Sequence, residues 1–371
     1  MTERERFINL FKGKPVDRLP VYFFGSWIQT KERWAKEGFE GTFERGDIGP
    51  QIDGMDKDWE TGIWNCHGLV NTSPTCYEGM KIIEETDEYI IRSFESGLTV
   101  KAGKGDVWFD HVLSYPLKPT RESWEHFKTY LNSDDKSRYA ESWEKKALAM
   151  SKRKHVSAAV GGSLYGSLRD WMGVEELSCL MYEDPELLKE MVSYTTDYYM
   201  ALMGPVAKLA RFDFIYIFED CCGSTGPLFS PALYTEIFDS HYKRLISFYK
   251  EECAIPLILV DSDGLSDELV PLWAKSGFDI IFPIEVGKWG GSPGKLREKF
   301  GNGFGMMGGV DKHLIASGGS ELREHLESLI PAVKAGKYLP IPDHRIPPSV
   351  SYEKFKEYLK MYNEVFENEL L

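Results

Sequence analysis

The chain lacks a long apolar run, a paired-cysteine motif and an excess of basic charge. Nothing in its 371 residues approaches the ~18 consecutive apolar residues of a membrane span, so no membrane partner is expected. Lys and Arg number 44 against 58 Asp and Glu, a formal net charge of −14. That balance argues against a nucleic-acid partner, which recruits a basic face. The cysteines, at 66, 76, 179, 221, 222 and 253, form no CxxC pair, which argues against a zinc ribbon or a thioredoxin-type site. Cys221 and Cys222 are neighbours, and neighbours rarely bridge without strain. Reduced thiols in a cytoplasmic protein are expected. The start, Met1-Thr2-Glu3-Arg4-Glu5-Arg6, is charged with no apolar segment behind it, so no signal peptide is expected.

What the chain does have is a series of apolar runs that end in acid. Phe214–Phe218 precedes Glu219-Asp220, Leu257–Val260 precedes Asp261-Ser262-Asp263, and Ile280–Ile284 precedes Glu285. Met306–Val310 precedes Asp311, and Tyr338–Pro342 precedes Asp343-His344. Amphipathic stretches separate most of them. Strands alternating with helices imply a parallel sheet. These runs, with two or three earlier ones such as Leu19–Phe24 and Ser157–Gly162, make about eight, so a closed (β/α)8 TIM barrel is expected. In such a barrel the C-terminal ends of all strands share one face, which brings the carboxylates and one imidazole to a single mouth.

Helix boundaries follow from their caps. Asp184-Pro185 and Ser230-Pro231 each place a capping side chain before a proline suited to the first helical turn. Ser266-Asp267-Glu268 opens a helix that stops near Gly277, and Tyr352–Phe366 carries an apolar stripe of helical period. Tyr89–Arg92 and Leu98–Val100 read as a β-hairpin inserted among the α/β units. One domain over residues 1–371 is expected, with an N-terminal insertion at about 28–150 that contains the hairpin.

Each candidate residue has a plain alternative. Asp261 and Asp263 repel each other unless a cation or a shared proton lies between them; equally, Asp-Ser-Asp-Gly is a turn. Glu285 follows an almost wholly apolar strand, and a carboxylate buried there without a partner would cost several kcal/mol. His344 ends the last strand, and His is the commonest metal ligand and proton carrier. Glu219 reads as a substrate-binding carboxylate or as half of a structural ion pair. Asp311 reads as a helix cap. Trp27, at the end of the first strand, is expected near the pocket. Gly303-Phe304-Gly305-Met306-Met307-Gly308 matches GxGxxG by letter but runs into a strand instead of opening a helix, which argues against a dinucleotide site.

Several segments resemble the uroporphyrinogen decarboxylase superfamily. They are Glu3–Phe7 with Lys14–Val21, Ile217–Gly223 with Leu228–Pro231, Gly308–Lys312 and Asp343–Pro348. The resemblance implies a (β/α)8 barrel and two possible chemistries. The true decarboxylases carry an Arg-rich segment after the first strand that grips substrate propionates. Here Phe23–Thr30 holds no Arg, and Glu219 stands where that family has Asp. The other branch, the cobamide-dependent methyltransferases, holds Zn²⁺ with His-x-Cys after the fifth strand and a Cys on the last. Here those positions read Asp261-Ser262-Asp263 and about His344, a harder ligand set. The resemblance therefore implies an enzyme like the O-demethylating members. A methyl group would pass from a methylated, above all methoxylated, small molecule to the corrinoid of a partner protein.

In that reading Asp263, Glu285 and His344 hold a divalent metal, Zn²⁺ by family resemblance, with Asp261 as fourth ligand or proton handler. Glu219 orients the substrate, and Tyr165, Arg169 and Trp27 line its site. A cofactor-free decarboxylase, a methylcorrinoid-to-tetrahydrofolate methyltransferase and a non-catalytic binder remain alternatives, and the barrel permits a monomer or a homodimer.

Overall fold

A computed structural model describes residues 1–40, 68–104 and 110–367. Cys66 and part of the expected insertion lie outside the described residues.

Four antiparallel strands come first: β1 (Lys81–Glu85), β2 (Tyr89–Ser93), β3 (Thr99–Gly103) and β4 (His111–Ser114), in the order β1-β2-β3-β4. The expected hairpin is β2–β3, with Ser93 opposite Thr99. Six parallel strands follow: β5 (Ala158–Val160), β6 (Phe214–Phe218), β7 (Leu257–Asp261), β8 (Ile280–Ile284), β9 (Gly305–Val310) and β10 (Tyr338–Pro342). They pair in chain order from β5 to β10. In-register steps such as Phe218 opposite Asp261, and Asp261 opposite Phe282, align their C-terminal ends. Strands β7 to β10 are buried along their whole length, as apolar strands covered on both faces must be.

Leu19–Phe24 is largely buried. Just after it, Ser26 makes a parallel bridge to Ile346, beyond β10. That bridge sets the N-terminal segment beside the β10 edge of the six-stranded sheet. The architecture is a TIM-type (β/α)8 barrel with an antiparallel sheet inserted before β5.

The helices start where the caps say. Asp184 accepts from the Leu187 amide at 3.0 Å before helix Pro185–Ala210, and Ser230 from the Leu233 amide at 3.2 Å. Asp311 caps helix Lys312–Ser317 through the His313 amide at 2.8 Å. The helix expected from Ser266 begins four residues later, at Val270; Ser266–Leu269 is a tight turn. Tyr352–Phe366 is the last helix, as its stripe predicts. Among the described residues no helix is long and apolar enough to cross a membrane.

Two glycines shape the mouth. Gly308 in β9 has φ +112°, and a Cβ there would lie 2.5 Å from the Ile284 backbone nitrogen. Gly264, after β7, has φ +88° and packs so closely that a Cβ would meet the Gly223 carbonyl at 2.7 Å.

Candidate active site

The acidic strand ends converge, but not in the grouping expected. Oxygens of Asp220, Asp261 and Asp263 all lie within 4.8 Å of one another, the single cluster of metal-ligating geometry among the described residues. Asp261 is the innermost. It is buried, and its Oδ2 has no hydrogen-bond partner. Burial, then the charges of Asp263 and Glu285, raise its carboxyl well above the ordinary range. Asp220 sits in the left-handed region at φ +42°, and burial followed by Asp263's charge raises its carboxyl too. Its Oδ1 accepts from the Asp263 amide at 3.1 Å, which ties the β6 and β7 loops together. Three free carboxylates at this spacing would repel by about 3–4 kcal/mol per pair at an effective dielectric near 20. A proton or a cation must reside among them.

His344 joins from the end of β10, its Nε2 3.3 Å from Asp263 Oδ2. Its ring meets Phe24 edge-on, with centroids 5.6 Å apart. Trp27 lies beside the same segment. Its amide donates to Ile346 O at 3.2 Å, and the Arg345 guanidinium stands 5.9 Å from its ring.

Glu285 lies close enough for its charge to act on Asp261 but is not one of the three clustered carboxylates. Its Oε2 accepts from the Gly264 amide at 2.8 Å, and its Oε1 faces Lys312 Nζ at 3.9 Å. Lys312 also contacts Asp343 Oδ1 at 3.1 Å, while Asp343 Oδ2 accepts from the Val286 amide at 3.2 Å. Among the described residues the group at metal-ligating spacing is Asp220, Asp261 and Asp263, while the charges of Asp263 and His344, the other members of the expected set, still act on Glu285. Asp263 and His344 meet, Glu285 braces the Gly264 turn, and Asp220 takes its place beside Asp261.

Glu219 also differs from expectation. Its carboxylate accepts amides of Leu164, Tyr165 and Gly166, each at 3.1 Å, and the Tyr242 hydroxyl. It caps the start of helix Tyr165–Met172 from within the core. Burial outweighs those hydrogen bonds and pushes it up to about 7. Both of its oxygens are engaged within the protein, so it anchors the start of that helix. Arg169 is likewise engaged. It donates to the Glu219 and Asp220 carbonyls at 3.0 and 2.9 Å and to Asp170 at 2.9 Å. Tyr165 is buried, its ring 4.9 Å from Phe229, and its hydroxyl has no partner.

Asp220 and Lys312 are the residues that sequence reasoning passed over. Asp220 directly follows a strand-ending acid and Lys312 directly follows another, so adjacency was their only signal.

The sequence pattern of the family described as uroporphyrinogen decarboxylase (URO-D) matches residues 162–365, more than half of the chain. The chain belongs to the URO-D family. That span takes in the Asp220, Asp261, Asp263 and His344 positions. No curated protein matches the chain in sequence. Among solved structures, a methyltransferase from Methanosarcina mazei is similar at 14% identity and a TM-score of 0.56, covering 98% of this chain and 99% of that one. At that identity the likeness supports the fold alone. A B12-independent methionine synthase from Shewanella sp. W3-18-1, in complex with selenomethionine, overlaps at 13% identity and a TM-score of 0.40. It covers 82% of this chain and 78% of that one, too loosely to carry an argument.

A URO-D barrel that handles a porphyrinogen needs guanidinium forks for its carboxylates. In Phe23–Thr30 this member has none, and Arg33, just beyond, is spent on Glu37 and on the carbonyls of Pro348 and Ser349. The donor set at the mouth is instead oxygen-rich, with one orphaned buried carboxylate oxygen and an imidazole beside it. It fits a divalent cation.

Proposed function

We propose that this URO-D family member is a methyltransferase that takes a methyl group from a methylated, above all methoxylated, small molecule and passes it to the corrinoid of a partner protein. What carries the reading is the cluster of Asp220, Asp261 and Asp263 around an unpartnered, buried Asp261 oxygen. The lack of an Arg in Phe23–Thr30 favours this reading over a cofactor-free decarboxylase of porphyrinogens.

Asp220, Asp261 and Asp263 would hold a divalent cation such as Zn²⁺. When bound, that cation supplies Lewis acidity toward a donor oxygen. The protein's own residues do the rest. In the transfer the methyl–oxygen bond breaks, the methyl goes to the acceptor, and the electron pair stays on oxygen. An alkoxide or phenolate leaves poorly, so a proton delivered there lowers the barrier. His344, 3.3 Å from Asp263, is the group suited to deliver it. Phe24 packs edge-on against the His344 ring and limits water on that side. Lys312 holds Glu285 and Asp343, which fixes the Gly264 turn and with it Asp263.

The test is a transfer assay with a reduced corrinoid protein and a panel of methoxylated arenes, following methylation of the corrinoid by absorbance. Transfer from at least one donor, abolished by chelator, is expected. No transfer from any donor to a competent partner would overturn the reading.

A further inference from the structure

A cavity of about 620 Å³ lies between the barrel and the inserted sheet, with Arg169 among its lining residues. Its floor is the C-terminal ends of β5 and β6, at Val160 and Phe218; its roof is Leu98 and Val112 of the insertion. One side is helix Tyr165–Met172. The insertion is seated there by close contact: a Cβ on Gly173 would lie 2.7 Å from the Tyr115 ring, and the Leu117 amide donates to Trp171 O at 3.0 Å.

Three properties of the wall define an occupant. First, it is aromatic: Tyr115, Trp171, Tyr199 and Phe218 all face the space, a surface that favours a flat ring. Second, its polar groups are hydroxyls. Ser167 and Tyr199 share a hydrogen bond of 2.8 Å, and Ser163 donates to the Phe218 carbonyl, so each retains capacity for a ligand hydroxyl or ether. Burial pushes the Tyr199 phenol up to about 12, which keeps it neutral. Third, its charge cancels. Arg169 and Asp170 are the charged residues among those lining it, and Arg169 Nε and Nη2 bind Asp170 Oδ1 at 3.1 and 2.9 Å. A carboxylate on the ligand would find no free counter-charge here, and burying it unpaired is costly. The volume falls in the range of small-molecule sites.

Arg169 also links the cavity to the acidic cluster. It lines the cavity, and its Nη1 lies 3.6 Å from Asp220 Oδ2. Arg169 thus stands between the cavity and Asp220, which does not itself line it.

We propose that this cavity binds the body of a neutral phenol or aryl ether and selects it over carboxylated rings. The placement of the reacting methyl rests on the methyl-transfer reading; the binding and its selectivity do not. The experiment is calorimetric titration of the full chain with 2-methoxyphenol and with 4-methoxybenzoate. The neutral probe binds at least tenfold more tightly. Leu98→Trp, which fills the roof, weakens its binding at least tenfold and leaves cation binding at the acidic cluster unchanged. Ser167→Ala, a milder change for the case in which Leu98→Trp fails to fold, weakens it several-fold.

Equal affinity for the two probes, no binding of either, or indifference to both substitutions would overturn the proposal. Tight, selective ring binding without methyl transfer to any corrinoid partner would uphold the cavity and remove only the transfer reading.

Discussion

Asp261→Asn should change how stability depends on pH. In the cation-free protein Asp261 is buried beside Asp220 and Asp263, and its folded carboxyl titrates well above the 3.8 of an ordinary Asp. The unfolded chain loses that proton first. Between the unfolded and folded values the native state binds more protons, so wild-type stability falls as pH rises, by up to about 1.4 kcal/mol per pH unit. Below the unfolded value the contribution is constant. Asn has no proton to lose, so the variant lacks this decline. The stability difference, variant minus wild type, should be flat below about pH 4 and grow with pH thereafter. Burial contributes most, and two fully charged carboxylate pairs at no more than 4.8 Å add about 7 kcal/mol at an effective dielectric near 20. Solvent at Asp263, whose side chain is 41% exposed, reduces that figure. Urea unfolding from pH 3.5 to 8 in the presence of chelator measures it. A difference independent of pH would refute the crowded-carboxylate account.

Tyr242→Phe removes a donor to buried Glu219. It should cost about 1.5–3 kcal/mol at pH 8, where Glu219 is ionised, and less at pH 5, where a carboxyl raised to about 7 keeps its proton; chemical denaturation at the two pH values checks this. Lys312→Met leaves Asp343 and Glu285 without their shared cation and should destabilise by about 3–5 kcal/mol at pH 7, with cation affinity at the neighbouring cluster also falling, both read by thermal unfolding with and without Zn²⁺. Gly308→Ala forces a Cβ onto the Ile284 backbone at a positive φ and should cost about 3 kcal/mol or more, visible as a lowered melting temperature.

The barrel was legible because its strands are continuous apolar runs punctuated by acid. Phe214–Phe218, Ile280–Ile284 and Tyr338–Pro342 stand in the structure with the bounds their composition suggests, and Asp184, Ser230 and Asp311 cap their helices as their positions predict. In Leu19–Phe24 the apolar pattern marks burial, and the parallel bridge of Ser26 to Ile346 sets the segment beside the end of the last strand. The site was legible as a face and not as a ligand set. Strand ends say which residues reach the mouth. Which oxygens meet depends on backbone turns such as φ +42° at Asp220 and +88° at Gly264, which periodicity does not encode. Glu219 is the reverse case. Its place at a strand end is legible, but the three amides that Leu164, Tyr165 and Gly166 present to it come from a distant segment. The cavity under the insertion was invisible for the same reason, since it is made by packing between segments far apart in the chain.

The central claim is that Asp220, Asp261 and Asp263 together form a cation site. Calorimetric titration of the chelator-treated protein with Zn²⁺, in wild type, Asp261→Asn and Asp263→Asn, tests it most directly. One equivalent should bind to the wild type, with thermal stability rising by about 2.7 kcal/mol at a free concentration one hundred times Kd, and both variants should lose most of that binding. No stoichiometric binding, or equal binding in all three proteins, would contradict it.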